Sequence, residues 1–220
     1  MVNPATDWAR TMRIDFHLDL ICPWCWIGMR HLFAACKVLR ADQPELVIDV
    51  HWHAATLLPQ IPEQGVPYQT FYVNRLGSAA AVAARREQVQ VAASTVGLTL
   101  NFDAIETFSN TGLVCALVNL AQQQLDAQAM YFFVESIFAA YFMHGKDIGS
   151  LSTLRELADA AGLTLDMDRL SAQRSQPAPG LHTGVPHIVV DRRWSTTGAV
   201  PAVELLSMMA RSLATRAADV

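Results

Sequence analysis

The chain has 220 residues, enough for one large domain or one domain with an insertion, and 52% of them are hydrophobic, enough for a substantial core. Its net charge of −4 leaves no electrostatic footprint for nucleic acid. No apolar run is long enough to span a bilayer, and residues 1–8 lack the basic start and apolar stretch of a signal peptide, so a cytoplasmic protein away from the membrane is expected.

Residues 1–11 read as a polar lead-in. From 12 to 20 apolar residues alternate (Met12, Ile14, Phe16, Leu18, Leu20), as in a half-buried strand. His17 falls on the polar phase and is expected in solvent. Cys22-Pro23-Trp24-Cys25 follows, and a helix is expected from about 23 to 40 with Cys25, Met29, Leu32, Cys36 and Leu39 on one face. Cys36 is then core, while Trp26 either borders the cysteines or packs. A second strand over 46–53 places His51 and His53 on one side, a poor metal site without further ligands.

Residues 57–67 are rich in proline and form the candidate linker. Helical periodicity then dominates, with helices over 68–76 and 78–96, the second closed by Gly97. Ser109 or Asn110 caps the next, and Met130, Phe133, Val134, Ile137, Phe138 and Tyr141 stripe the one after it. That stripe is core, or in part a substrate-facing surface. Cys115 receives no role. Thr153 to Glu156 reads as a capping box, and Asp166 caps a short helix. Pro177 and Pro179 mark a return linker. Pro186 precedes the β-branched run Ile188-Val189-Val190, a partner strand covers 194–197, and Pro201 opens a final helix. The outer pieces, 1–61 and 179–220, make a discontinuous α/β domain. Residues 62–178 make a large all-helical insertion domain.

The chemistry lies at Cys22 and Cys25. Two cysteines two residues apart, where a helix follows a strand, form the pattern of a thioredoxin-type redox pair. Cys22 sits where unpaired helix N–H groups favour negative charge, and Pro23 suits the first helical position. Cys25, one turn further in, is the natural resolving thiol. The alternatives are two inert core thiols, or half of a zinc site. Zinc needs a second ligand pair, whereas Cys36 and Cys115 are isolated, so no metal is expected.

The ordered set of Cys22-Pro23-Trp24-Cys25, Asn110-Thr111, Tyr141 through Ile148, Gly184-Val185-Pro186 and Gly198-Ala199 resembles the DsbA-like thioredoxin superfamily, in particular its FrnE-like branch. The resemblance implies a thioredoxin-like fold with a helical insertion domain. It also implies a Val185–Pro186 cis bond beside the thiols, a Val185 backbone offered to extended substrates, and a groove above Cys22 flanked by Pro23 and Trp24. The expected activity is disulfide exchange with protein, peptide or small thiol substrates. No cofactor is expected, although glutathione is a candidate redox partner. A glutathione-dependent transferase or isomerase of the kappa-class or hydroxychromene-carboxylate type is the second reading, and a chaperone-like binding module the third. His187, after the proline, departs from the family pattern and either tunes Cys22 or points away. The sequence leaves open whether two chains pair as a homodimer.

Overall fold

The computed structural model describes residues 11–173 and 184–218. Strand β1 (Thr11–Leu18) leads into helix α1 (Pro23–Asp42) and strand β2 (Val47–Ala54). Strand β3 (Val66–Pro67), helices α2 (Tyr68–Leu76) and α3 (Ala79–Ser94), a short 3-10 turn and strand β4 (Thr107–Phe108) follow. Helices α4 (Gly112–Ala121), α5 (Ala127–Phe142), α6 (Leu151–Ala160) and α7 (Met167–Ala172) complete the helical region. The chain returns through β5 (His187–Val190), β6 (Trp194–Thr197) and α8 (Ala202–Ala218).

The main sheet has the order β2-β1-β5-β6. β1 and β2 run parallel because α1 supplies the crossover that parallel strands require, and the other pairings are antiparallel. Alternation in β1 decides its two faces. Met12, Ile14, Phe16 and Leu18 are fully buried and join α1 (Met29, Leu32) and α8 (Leu205, Met209) in one core. Arg13, Asp15 and His17 take the opposite phase.

The exposed edge of β2 is closed by side chains. Asn119 accepts a hydrogen bond from Ala54 N–H at 3.0 Å and donates one to its carbonyl at 2.9 Å; Gln122 does the same for Trp52 at 2.8 and 2.7 Å. Three positions apart on a helical path, the two amides face the same way and replace a missing neighbour strand.

Several local expectations shift. β1 stops at Leu18, where a turn closed by the Cys22 N–H on the Asp19 carbonyl begins, and α1 continues to Asp42. The supposed linker ends in β3, which pairs with β4. Ser150, not Thr153, caps α6: its hydroxyl accepts the Thr153 N–H, so Thr153 lies inside the first turn. Thr111 occupies the cap position of α4 without a side-chain bond. Asn110 just before it binds Gly112 N–H and the Ile61 carbonyl. The α5 stripe is core, and Trp26, also buried, stacks on Phe138 and Phe142. Pro177, Pro179, the 178/179 boundary and most of the polar lead-in lie outside the described residues.

His17 is corrected most. It lies in a row across the sheet formed by strand register, with His53 on one side and His187 on the other. Its ring stacks on His53 at 4.6 Å and meets His187 at 5.6 Å, and its Nδ1 has no protein partner. Burial, then His53 and His187, pull its pKa down to about 4.

Candidate active site

Cys22 is the N-cap of α1, with extended backbone (φ −97°, ψ 108°), and Pro23 opens the helix. The unpaired first-turn N–H groups of the helix begin next to this position, although the Cys22 side chain makes no cap hydrogen bond to them. Cys22 is half-buried, whereas Cys25 is wholly buried, and both are free thiols. Burial pushes the Cys25 thiol well above its ordinary range, and the hydrogen bond and charge of Cys22 add to that. Cys25 therefore holds its proton until something takes it.

The return segment closes on this pair. The Val185–Pro186 peptide is cis, and the Val185 carbonyl stands 3.9 Å from Cys22 Sγ. Pro186 is buried against α1 at Gly28, and its own carbonyl accepts Gly198 N–H at 2.8 Å. His187, one residue on, is turned to the histidine row, where its Nδ1 meets Thr197 Oγ1 at 2.8 Å. It does not line the cavity above the cysteines.

That cavity, about 600 Å3, is bounded by Cys22, Pro23 and Trp24 on one side and by α2 and α3 on the other. Its wall is aromatic: Phe71 stacks on Phe108 at 3.8 Å, with Tyr68 and Tyr72 beside them. The Tyr141-to-Ile148 segment holds this wall from behind. Tyr141 donates to the Thr107 carbonyl at 3.2 Å, and Asp147 accepts Ser109 at 2.6 Å, which fixes both ends of the β4 loop.

Beneath the cysteines lies a carboxyl that the sequence reading missed. Asp19 is fully buried, accepts Leu57 N–H at 2.8 Å, and adds its charge to the forces that raise the Cys25 thiol. Burial raises its own pKa to about 6 despite those N–H bonds. Cys115 of α4 is buried nearby and is raised by burial and then by Asp19. In the sequence Asp19 falls on the polar phase of the strand expected over 12–20, a position that reads as solvent-facing. Cys36, buried on α1, is pushed to about 12.

Among the described residues, no group of three or more His, Cys, Asp or Glu is placed to hold a metal ion. No helix among them is long and apolar enough to cross a membrane.

A parallel–antiparallel sheet, a dithiol at the start of its first helix and a proline opposite define the thioredoxin-like class with a helical insertion. Within it, the chain belongs to the family of DSBA-like thioredoxin domains, whose model matches residues 13–210. Its fold is similar to that of a probable DsbA oxidoreductase from Streptomyces coelicolor, with 22% identity, 92% of this chain and 90% of that one covered, and a TM-score of 0.76. It is also similar to the cytosolic disulfide reductase DsbM from Pseudomonas aeruginosa, solved with GSH (18% identity, 94% and 98% covered, TM-score 0.57). A 2-hydroxychromene-2-carboxylate isomerase has a comparable likeness (15% identity, 94% and 99% covered, TM-score 0.58). No curated protein matches the sequence.

Proposed function

We propose that the chain is a thiol–disulfide oxidoreductase of the FrnE-like kind, with Cys22 as nucleophile and Cys25 as resolving thiol. The observation that carries this reading is the asymmetry of the pair: Cys22 reaches the cavity, and Cys25 is sealed above a buried carboxyl. In the reducing direction the Cys22 thiolate attacks one sulfur of a substrate disulfide, forms a mixed disulfide and expels a thiolate. Asp19 then takes the Cys25 proton, and Cys25 attacks Cys22 Sγ, expelling the second substrate thiolate. The protein loses two electrons as the Cys22–Cys25 disulfide forms, and the substrate gains them. The reverse sequence oxidises substrate thiols.

The first-turn N–H groups of α1 offset negative charge on Sγ in both steps. Pro23 and Trp24 flank the attacking sulfur, and Val185 offers its backbone to a substrate chain. His187 is assigned to the histidine row rather than to substrate. Substrates are protein, peptide or small-molecule thiols and disulfides, with glutathione a redox partner rather than a bound cofactor. The discontinuous domain division, cytoplasmic location and absence of nucleic-acid and membrane partners belong to the same proposal. A homodimer is left to measurement.

Replacing Cys25 by Ser is expected to trap substrates as mixed disulfides on Cys22, detected by intact mass under mildly oxidising conditions. Capture of none sinks the reading. The glutathione-dependent transferase or isomerase reading is favoured instead if wild type forms no internal disulfide and accumulates a stable glutathione adduct. The reduction potential then gives direction: about −120 mV marks an oxidant and about −270 mV a reductant.

A further inference from the structure

Disulfide exchange by itself does not call for the charge found in the cavity. Three arginines line it, Arg75, Arg85 and Arg86, and among the described residues no acidic side chain does, in a chain with 20 acidic against 16 basic residues. Arg86 is already committed. Its guanidinium pairs with Asp103 at 3.0 Å, binds Gln69 at 2.9 Å and lies over the Tyr68 ring at 5.3 Å. Arg75 and Arg85 are exposed at the cavity wall, and neither has an ion-pair partner among the described residues.

Tyr72 ties this charge to the reacting sulfur. Burial and then the charge of Cys22 raise its phenol to about 12, against the pull of the Tyr68 hydrogen bond, Arg75 and Arg86. Arg75 and Cys22 thus act on one phenol and belong to one electrostatic neighbourhood. A volume of about 600 Å3 lies in the range of pockets for small organic ligands, roughly 300–1,000 Å3. Its apolar wall takes carbon, and a guanidinium fork takes a carboxylate.

We propose that this cleft selects low-molecular-weight disulfides that carry carboxylates, with Arg75 and Arg85 holding the carboxylates while a sulfur meets Cys22. The proposal rests on the dithiol reading and names the substrate class of the same site. The electron balance is unchanged: the disulfide accepts two electrons and leaves as two thiols, and the pair becomes a disulfide. Because both arginines are exposed, the selection weakens with salt.

The test is a single turnover of the pre-reduced full-length chain with three disulfides, quenched with acid and read by intact mass. Glutathione disulfide is anionic, bis(2-hydroxyethyl) disulfide neutral and cystamine cationic. The readout is the ratio of the charged to the neutral rate constant within one preparation, which cancels any misfolded fraction. In R75E/R85E the anionic-to-neutral ratio is expected to fall about tenfold, or ~1.4 kcal/mol, and the cationic-to-neutral ratio to rise. R75K/R85K is expected to keep most of the wild-type ratio, and 0.5 M salt to compress it. Anionic-to-neutral ratios within about twofold of wild type in the charge-reversed variant would overturn the selection and leave the dithiol reading standing. Absence of exchange with all three disulfides in wild type would overturn the dithiol reading and the selection with it.

Discussion

A methyl group on Gly28 would stand 2.9 Å from Cγ of Pro186. The helix that begins at Cys22 and the segment that carries Val185 therefore touch with no room between them, and their distance is set by a missing side chain. Gly28→Ala is expected to destabilise the fold by about 1–3 kcal/mol through overpacking. It should also widen the gap between Cys22 and the Val185 carbonyl. Urea midpoints and the rate of Cys22 alkylation check this; an unchanged midpoint would show that the contact relaxes freely.

Asp19 gives a pH dependence with a definite sign. The folded chain keeps its proton up to about pH 6, while an unfolded aspartate releases it near 3.8. Between these values the folded state binds more protons, so stability falls as pH rises through the window, and the full cost stands above it. At 1.36 kcal/mol per pH unit the cost is about 3 kcal/mol. Asp19→Asn removes it, so the variant should gain on wild type between pH 4 and pH 7. The same variant lacks a proton acceptor for Cys25, and release of a trapped mixed disulfide is expected to slow by about 100-fold. Stopped-flow release and urea titrations at the two pH values measure both effects.

His17 works in the opposite sense. Its folded pKa of about 4 lies below the ordinary 6.5, so the unfolded chain binds more protons in between, and stability is lost on acidification through that range. The groups that face it are His53, His187 and Asp15. Asp15 is itself raised by burial, but Arg13 and His53 outweigh that and hold it at about 2, below the window in question. The Asp19 and His17 windows overlap with opposite slopes, so the wild-type profile between pH 4 and 6 is flattened. His17→Phe keeps a ring in the stack and removes the titration. Its stability should fall more steeply than wild type as pH rises from 4 to 6, as followed by urea unfolding.

Asn119 and Gln122 make a prediction about the sheet edge. Truncating Asn119 to Ala leaves the Ala54 N–H and C=O without their bonds at a partly buried edge. A loss of about 1–3 kcal/mol is expected, with faster hydrogen exchange at the Ala54 amide. Exchange at wild-type rates would mean that water replaces the amide at no cost.

The dithiol, the strand before it and the proline of the return segment were legible because each depends on chemistry local to a few residues. Period-2 alternation reports β1, a proline at the first helical turn reports α1, and the Met130-to-Tyr141 stripe reports a core face. Capping was less legible: Ser150 and Thr153 are both able to start α6, and the choice rests on where the preceding loop releases the chain.

By itself, then, the sequence determined the order of the main-sheet strands and their helices, the reactive pair and the family resemblance, because these are written in neighbouring residues and their periods, while the small β3–β4 sheet inside the expected all-helical stretch was not. Only the tertiary structure decided what surrounds the pair. Asp19 reads as a polar-phase strand residue until folding seals it beneath Cys25, and His17 reads as solvated until strand register brings His53 and His187 alongside. Arg75 and Arg85 read as helix surface until α2 and α3 close over Cys22. Desolvation and through-space charge act between residues far apart in the chain, and no local pattern encodes them.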